Sequence, residues 1–225
     1  MRLVEALEEV RRQRILTDDE LVEVWNAASS LPKLPRAIIR LLILTGQRAM
    51  EIAGMEPREL GHNSGLLTIP ASRMKAKLDH EVPLPTQALD IIRDVGRIAG
   101  SPWIFPNTRG TRPIGSFRHI KRLLDRAVAQ AREQVRMEPM PAWRLHDLRR
   151  TMRSGLSRLK VEYEVAERAI AHVPGTNVSK TYNVWDFREP KAEALQAWAS
   201  YVERVVNPQS NIIDLRDRAA MVGPR

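Results

Sequence analysis

The sequence predicts an α+β fold that is mainly helical and carries one small antiparallel β-sheet. Two observations support this. Apolar residues recur at helical spacing through most of the chain, as in 34–46 and 115–135. Residues 65–74 and 80–85 instead form short extended runs with prolines near their ends, typical of a hairpin or of two strands of a small sheet. The chain has 225 residues, 43% of them hydrophobic, so it can bury a substantial core.

The first helices have recognisable ends. Thr17 with Glu20 three residues later forms a capping box ahead of the first helix. Gly46 is the expected C-terminal cap of the second helix. A short third helix follows in QRAMEIAGM, with Pro57 just beyond its end. These signals predict three successive helices before the hairpin.

The chain returns to helical spacing after the hairpin. The stretch TQALDIIRDVGRIAG predicts a helix that ends at Gly100, and WIFP predicts a short buried strand or turn. The stretch 115–135 is a long, basic, amphipathic helix. Further helices are predicted over 146–159, 162–172 and 189–206.

The excess positive charge is concentrated in one part of the chain. The net charge is +9, yet residues 1–108 carry 14 Lys/Arg and 14 Asp/Glu. Residues 109–160 carry 14 Lys/Arg against 4 Asp/Glu, and the remainder is close to neutral. Such a local surplus indicates a surface for a polyanion, most often nucleic acid. A solvated basic face is the alternative.

Several protein classes are excluded or disfavoured by composition. With no cysteine, the chain has no disulfides, thiolate catalysis or cysteine zinc site. No apolar run approaches the roughly 20 residues that span a bilayer, and the first residues do not resemble a signal peptide. We therefore expect a cytoplasmic protein without a membrane partner.

The basic segment RLHDLRRTMRS, residues 144–154, places His146 and Arg149 on the same face of a helix. The guanidinium fork of arginine matches phosphate oxygens, and a neighbouring histidine can donate to the same phosphate or transfer a proton. A pair of ordinary surface residues is the alternative for this short pattern.

Four other positions add to this pattern. Arg48 follows the glycine at the end of the second helix, and Glu51 lies three residues further on. Lys75 lies at the tip of the predicted hairpin, His172 at the end of a helix and Tyr182 ten residues later. Taken singly, each has an ordinary reading as a surface ion pair, a loop lysine or a half-buried tyrosine.

Together these residues resemble the catalytic domain of the tyrosine recombinases, the phage integrase family. The segments HDLRRT, AHVPGT, TYN and ALQAWASYV, with IPASRMK and HEVPLP, are similar to the branch found in prophages and genomic islands. The resemblance covers roughly residues 15–206. The candidate catalytic residues are Arg48, Lys75, His146, Arg149, His172 and Tyr182.

The resemblance implies a reaction with DNA that requires no cofactor. Tyr182 would attack a DNA phosphate, form a 3′-phosphotyrosyl link and release a 5′-hydroxyl. A free phenol has a pKa of about 10, so it needs a base and a positive setting. His146 would be that base or a phosphate donor, and Lys75 would protonate the departing 5′ oxygen. Lys77 lies close enough to leave the choice of lysine open.

The resemblance assigns the remaining residues to the phosphate. Arg48 and Arg149 would bind its non-bridging oxygens, in place of the charge that a metal ion would supply, and Glu51 would orient Arg48. His172 would hydrogen-bond the phosphate. Two departures stand out: Ala171 occupies a position where the family often has glycine, and the tryptophan that many relatives place after the first arginine is absent.

Other basic residues are expected to contact the DNA backbone. The helix over 115–135 would follow the DNA and enter a groove. The expected partner is a double-stranded attachment site, bound by a homotetramer that forms on DNA from free monomers. The candidate DNA-binding residues are Arg118, Lys121, Arg122, Arg144, Arg150 and Arg153.

The resemblance also predicts the domain organisation. Residues 15–206 would form the catalytic domain, residues 1–14 a lead-in from a missing upstream DNA-binding domain, and residues 207–225 a tail that docks on a neighbouring subunit or is disordered. The competing functions are a helical DNA-binding regulator that is not an enzyme and a degenerate recombinase. A type IB topoisomerase would use similar chemistry. Tyr182 separates an enzyme from a regulator, which has no use for such a residue.

Overall fold

The computed structural model describes residues 13–61, 64–172 and 187–208. Within these ranges the predicted α+β class is confirmed, since the secondary structure is mostly helical with one two-stranded antiparallel sheet. Strands β1 (Leu66–Ile69) and β2 (His80–Pro83) pair with Leu67 opposite Val82. The helices are α1 (Asp18–Ala27), α2 (Lys33–Thr45), α3 (Ala49–Ala53), α4 (Thr86–Val95), α5 (Phe117–Gln134), α6 (Leu145–Arg158), α7 (Tyr163–Ala169) and α8 (Arg188–Val206).

Helix α2 lies at the centre of the core and packs against α3, α4, α6 and α8. Its residues from Ile38 to Thr45, apart from Arg40, are buried, because neighbours cover it on several sides. Gly46 ends the helix in the left-handed conformation, at φ 63°, and its N–H donates to the Leu42 carbonyl at 3.0 Å. The predicted cap is confirmed, and it directs the chain into α3.

The predicted capping box of α1 is also confirmed. The Glu20 N–H donates to Thr17 Oγ1 at 3.2 Å, and the Thr17 N–H donates to Glu20 Oε2 at 2.9 Å. The end of α4, in contrast, was predicted incorrectly. This helix ends at Val95, before Gly96 rather than Gly100, because Gly96 already adopts a positive φ of 70° and closes the helix with a bond to the Ile92 carbonyl.

The contact between α6 and α8 depends on a glycine, whose lack of a side chain leaves room for a tryptophan ring. Trp198 of α8 is 1% exposed, and its indole N–H donates to the Ile43 carbonyl in α2 at 2.8 Å. Its ring lies against Gly155 of α6, where a Cβ atom would come within 2.0 Å of Trp198 Cζ3. The glycine therefore lets one tryptophan join three helices.

The hairpin is joined to the helical core by a buried histidine. His80 of β2 is 7% exposed, and its Nε2 lies 3.2 Å from Gln47 Oε1. The Gln47 amide donates to the carbonyls of Thr45 and Ala169, each at 2.9 Å. Burial, together with the charge of Lys191, lowers the pKa of His80 to about 4, so the ring is neutral at pH 7.

Within the described residues, none of the helices combines the length and the apolar character that crossing a bilayer requires.

Replacing Gly155 with alanine should destabilise the fold by about 3 kcal/mol, because the added methyl group overlaps the buried Trp198 ring. Chemical denaturation monitored by circular dichroism measures this loss. The matched control is Gly115→Ala, since no atom lies within 4 Å of a Cβ built there, and its effect should stay within about 0.5 kcal/mol. Equal stabilities for the two variants would contradict the packing described here.

Acidification should destabilise the fold through protonation of His80. In the unfolded chain this histidine takes up a proton near its ordinary pKa of 6.5, whereas in the folded chain it does so only near pH 4. The stability that depends on neutral His80 is therefore fully present above pH 6.5 and is lost as the pH falls towards 4, by about 3 kcal/mol in total. Urea denaturation between pH 7 and 4 should show this component in the wild type and not in His80→Gln. Parallel curves for the two proteins would rule the assignment out.

Candidate active site

Arg48 is positioned by a carboxylate at the start of α3. The Arg48 N–H donates to Glu51 Oε2 at 2.8 Å, and its Nη1 donates to Glu51 Oε1 at 2.6 Å. The Glu51 side chain is 4% exposed, whereas that of Arg48 is 36% exposed. One buried carboxylate thus fixes both the backbone and the guanidinium of Arg48, and leaves part of the guanidinium open to solvent.

A second arginine holds the backbone of α3 in place. Arg73, in the short 3₁₀ turn Ala71–Arg73 after β1, donates through Nη2 to the carbonyls of Glu51 at 2.6 Å and Met50 at 3.2 Å. Its Nη1 contacts the buried Glu59. The hairpin is therefore attached to the helix that carries Arg48.

Arg149 is a buried cation that joins α6 to the ends of two other helices. It is 6% exposed and extends from α6, donating through Nη1 to the Gly46 carbonyl at 3.0 Å and through Nη2 to the Ile170 carbonyl. Burial, followed by the charge of Arg48, lowers its pKa to about 10, although Glu51 and Glu167 partly oppose this. Both of these bonds go to backbone carbonyls rather than to a carboxylate.

His146 lies one turn before Arg149 on α6 and is exposed. Partial desolvation of the ring by its neighbours lowers its pKa, as do the charges of Arg149, Arg150 and Arg48. The ring is therefore neutral at neutral pH and can accept a proton. Arg149 Nη1 bonds to the Gly46 carbonyl, two residues before Arg48, and His146 lies one turn before Arg149, so the structure brings these residues together. We call Arg48 and Arg149, with the neutral His146 beside them, the cationic cluster.

His172 is held at the C-terminal end of α7 by a Schellman motif. The His172 N–H donates to the Glu167 carbonyl at 2.9 Å, and the Ala171 N–H donates to the Arg168 carbonyl at 3.1 Å. Ala171 occupies the left-handed position, at φ 52°, which glycine adopts without strain. This explains the preference for glycine in the resemblance. The predicted helix over 162–172 thus ends at Ala169, because this motif stops it.

The side chain of His172 contacts an acidic residue that sequence analysis missed. Its Nδ1 contacts Glu167 Oε2, and Glu167 Oε1 accepts a bond from Arg153 Nε at 2.6 Å. The Glu167 side chain is 8% exposed, and the His172 side chain is 68% exposed. The ring thus has one fixed nitrogen and a largely exposed remainder.

Lys75 and Lys77 both lie in the exposed turn that connects the Arg73 segment to β2. Lys77 adopts a left-handed φ of 56°, and its N–H donates to the Met74 carbonyl at 3.2 Å. A cavity of about 420 Å³ separates this turn from the end of α7, and Met74, Ala76, His80 and Ala171 contribute to its lining. The turn therefore faces the part of the fold that carries His172, and either lysine stays a candidate.

Tyr182 belongs to residues 173–186, outside the described part of the chain. Its role as nucleophile stays a prediction.

The six candidate DNA-binding residues differ in what already holds them. Arg118, Arg122 and Arg144 are exposed, although Arg122 Nη2 lies 2.9 Å from His119 Nδ1. Lys121 contacts Asp125 and lies 4.0 Å from the centre of the Trp143 ring. Arg150 and Arg153 are paired with acidic residues, Asp147 at 3.2 Å and Glu167 at 2.6 Å.

Four positioning side chains were not predicted from the sequence: Gln47, Arg73, His80 and Glu167. None stands in a local pattern that marks it, because each acts on a residue in another element or across a helix end. Among the described residues, no group of three or more His, Cys, Asp or Glu side chains is arranged to hold a metal ion.

Comparison with known proteins identifies the family. The model of the phage integrase family matches residues 14–189. The prophage integrase IntA of Escherichia coli K12 is 29% identical over 189 residues, which cover 82% of this chain and 43% of that protein. The integrase of Shigella phage Sf6 is 22% identical over 74% of this chain and 41% of its own length. The chain thus spans less than half the length of these relatives.

Solved structures share the fold. The catalytic core of lambda integrase matches with a TM-score of 0.52 and 21% identity, over 72% of this chain and 96% of that one. A lambda integrase tetramer bound to a Holliday junction matches with a TM-score of 0.58 and 22% identity, over 80% of this chain and 51% of that one. Since the family model covers most of the sequence, including both helices that carry the cationic cluster, this chain belongs to the phage integrase family.

Proposed function

We propose that this chain is the strand-transfer domain of a site-specific DNA recombinase, which cuts and rejoins DNA through a 3′-phosphotyrosyl intermediate to integrate or excise a mobile element. The observation that carries the proposal is the cationic cluster. Arg149 is buried and bonds to the Gly46 carbonyl, two residues before Arg48, so two positive charges lie close together, and the charge of Arg48 helps to lower the pKa of Arg149. Two like charges held together in this way favour an anion between them.

Both guanidinium groups are held in place by the protein itself. The carbonyls of Gly46 and Ile170 hold Arg149, and Glu51 holds Arg48, so neither guanidinium needs to be ordered when the substrate binds. Pre-positioned donors of this kind stabilise the charge that develops on non-bridging oxygens in a phosphoryl transfer. The charge that a metal ion could supply would come from these two side chains.

The reaction would proceed as follows. The bond between Tyr182 Oη and phosphorus forms while the bond from phosphorus to the 5′ oxygen breaks, and His146, neutral at pH 7, accepts the phenolic proton. Lys75, or its neighbour Lys77, gives a proton to the departing 5′ oxygen. His172 hydrogen-bonds the phosphate. The phosphotyrosyl link conserves the energy of the phosphodiester bond, so rejoining needs no nucleotide cofactor.

Solved structures of relatives support the proposed partners. Lambda integrase has been solved as a tetramer bound to a Holliday junction and as a dimer bound to a COC′ core site. We infer that this chain binds a double-stranded attachment site, assembles as a homotetramer on it from free monomers, and acts in the prokaryotic cytoplasm. The exposed Arg118, Arg122 and Arg144 are the best placed of the predicted residues to contact the DNA backbone.

The domain organisation is part of the same proposal. Residues 15–206 would form the catalytic domain, with residues 1–14 leading in from an upstream DNA-binding domain. The tail 207–225, almost all of which lies outside the described residues, would dock on the neighbouring subunit of the tetramer.

A nicked attachment-site duplex should trap the covalent intermediate. Once the strand is cut next to the nick, the short 5′-hydroxyl fragment diffuses away and rejoining stops. The wild-type chain should then form an adduct that resists SDS and is visible on a denaturing gel, and Tyr182→Phe should abolish it, because the nucleophilic oxygen is lost. Binding of the same duplex by both proteins is the control. A wild-type protein that binds without forming an adduct would support a regulator or a degenerate recombinase instead.

Sulfur substitution should identify the general acid. A 5′-bridging sulfur leaves as a thiolate, whose parent thiol has a much lower pKa than an alcohol, so it needs no proton from the enzyme. Loss of the true acid should slow cleavage of the normal oxygen substrate by about 10²–10⁴-fold and leave the sulfur substrate nearly unaffected. Lys75→Ala and Lys77→Ala serve as each other's controls. If both variants were slowed equally on both substrates, neither lysine would be the acid.

A further inference from the structure

We propose that Glu167, held by Arg153, acts as a positioning residue that fixes the tautomer and orientation of His172 and so determines which ring nitrogen meets the scissile phosphate. The inference rests on the proposed function for the identity of the substrate. The arrangement itself is observed in the described residues of α6 and α7.

Arg153 is fixed by three contacts. Its Nε donates to Glu167 Oε1 at 2.6 Å, its Nη1 donates to Ser157 Oγ at 2.7 Å, and its guanidinium carbon lies 5.1 Å from the centre of the Tyr163 ring. The side chain is 15% exposed. An arginine held in this way serves better as a fixed donor to Glu167 than as a mobile contact for DNA.

The Glu167 carboxylate is ionised at neutral pH. Burial alone would raise its pKa, but the hydrogen bonds from His172 and Arg153 and the Arg153 charge outweigh burial, so the pKa is lowered. An ionised carboxylate only accepts hydrogen bonds. The ring nitrogen that contacts it, Nδ1 of His172, must therefore carry a proton.

The consequence is a defined role for Nε2. The Schellman motif fixes the backbone of His172, and the Glu167 contact fixes its ring at Nδ1, so Nε2 is the nitrogen left for the phosphate. Phosphate oxygens accept hydrogen bonds. When the ring takes up its second proton at Nε2, it can donate to the phosphate while its contact with Glu167 becomes an ion pair.

The free protein should show the tautomer directly. Long-range ¹H–¹⁵N correlation of the imidazole nitrogens should give Nδ1–H for His172 in the wild type. In Glu167→Gln, Arg153 can only donate, so the amide oxygen should stay with Arg153 and the NH₂ group should face Nδ1. The ring should then change to the Nε2–H tautomer. The control is Glu164→Gln, the same change on the same helix, which removes a pair with Arg168 at 2.7 Å and should leave His172 unchanged.

Cleavage provides the second readout. Under single-turnover conditions on saturating DNA, Glu167→Gln should slow covalent adduct formation by about 10- to 100-fold, because the doubly protonated ring that binds the phosphate as an imidazolium loses the carboxylate that stabilises its charge. The dissociation constant for DNA should stay within about twofold, because the predicted contacts to the backbone are intact. Combining Glu167→Gln with His172→Ala should cause no loss beyond that of His172→Ala alone, since both changes remove one function.

Arg153 can be separated from the exposed arginines by its salt dependence. Arg153→Gln should slow cleavage without changing the slope of log affinity against log salt concentration. Arg118→Gln should reduce that slope by about 0.9, the value for one lost phosphate contact. A reduced slope for Arg153→Gln would show that Arg153 binds the backbone and would overturn its assignment as a support for Glu167.

Two further results would overturn the proposal: retention of the Nδ1–H tautomer in Glu167→Gln, or an unchanged cleavage rate in that variant. The comparison of tautomers uses the chain without DNA and distinguishes the two levels of inference. A wild-type chain that formed no adduct would contradict the proposed function, and the tautomers would still decide whether Glu167 controls the ring.

Discussion

The structure depends most on the burial of one guanidinium. Arg149 leaves α6 and bonds to the carbonyl at the end of α2 and to the carbonyl just after α7, at Gly46 and Ile170. A buried cation is stable only where its donors are satisfied, and here the acceptors are the orphan carbonyls of two helix ends. The same bonds therefore complete the helices and bring together the segments that carry Arg48, His146 and His172.

Buried carboxylates orient the more exposed side chains in a common way. Glu51 holds Arg48, Asp147 accepts from the backbone of Arg144 and from Arg150, and Glu167 holds His172. In each case the acidic group is almost fully buried while at least part of its partner remains accessible. Such pairs add little to the free energy of unfolding where one partner is exposed, but they limit the rotamers of that exposed partner. The surface thereby presents cationic groups in defined positions.

The hairpin is the element that connects this rigid centre to the candidate general acids. Arg73 attaches it to α3, and His80 attaches it through Gln47 to the ends of α2 and α7. Between these two attachments the turn with Lys75 and Lys77 is exposed. A lysine on a turn anchored at both ends can reach a bound phosphate without being part of the buried centre.

The sequence by itself determined the features that depend on neighbouring residues. The capping box of Thr17 and Glu20, the glycine at Gly46, the helical periodicities and the hairpin all arise from interactions within a few positions, and each was predicted correctly. The order of the candidate catalytic residues was also sufficient to suggest the family, because the family pattern consists of residue types in a fixed order along the sequence. The early stops of α4 and α7 were missed, since a left-handed residue can end a helix before its apolar pattern ends.

Only the tertiary structure decided which charged side chains are paired and which remain available. Gln47 and His80 lie 33 residues apart, and Arg149 and Gly46 lie 103 residues apart, so no local pattern could connect them. From the sequence alone, Arg153 and Arg118 are both arginines in basic parts of the chain. In the structure, a buried carboxylate holds Arg153, whereas Arg118 is exposed. The physical reason is that burial and pairing are set by neighbours in space, whereas the sequence shows only neighbours along the chain.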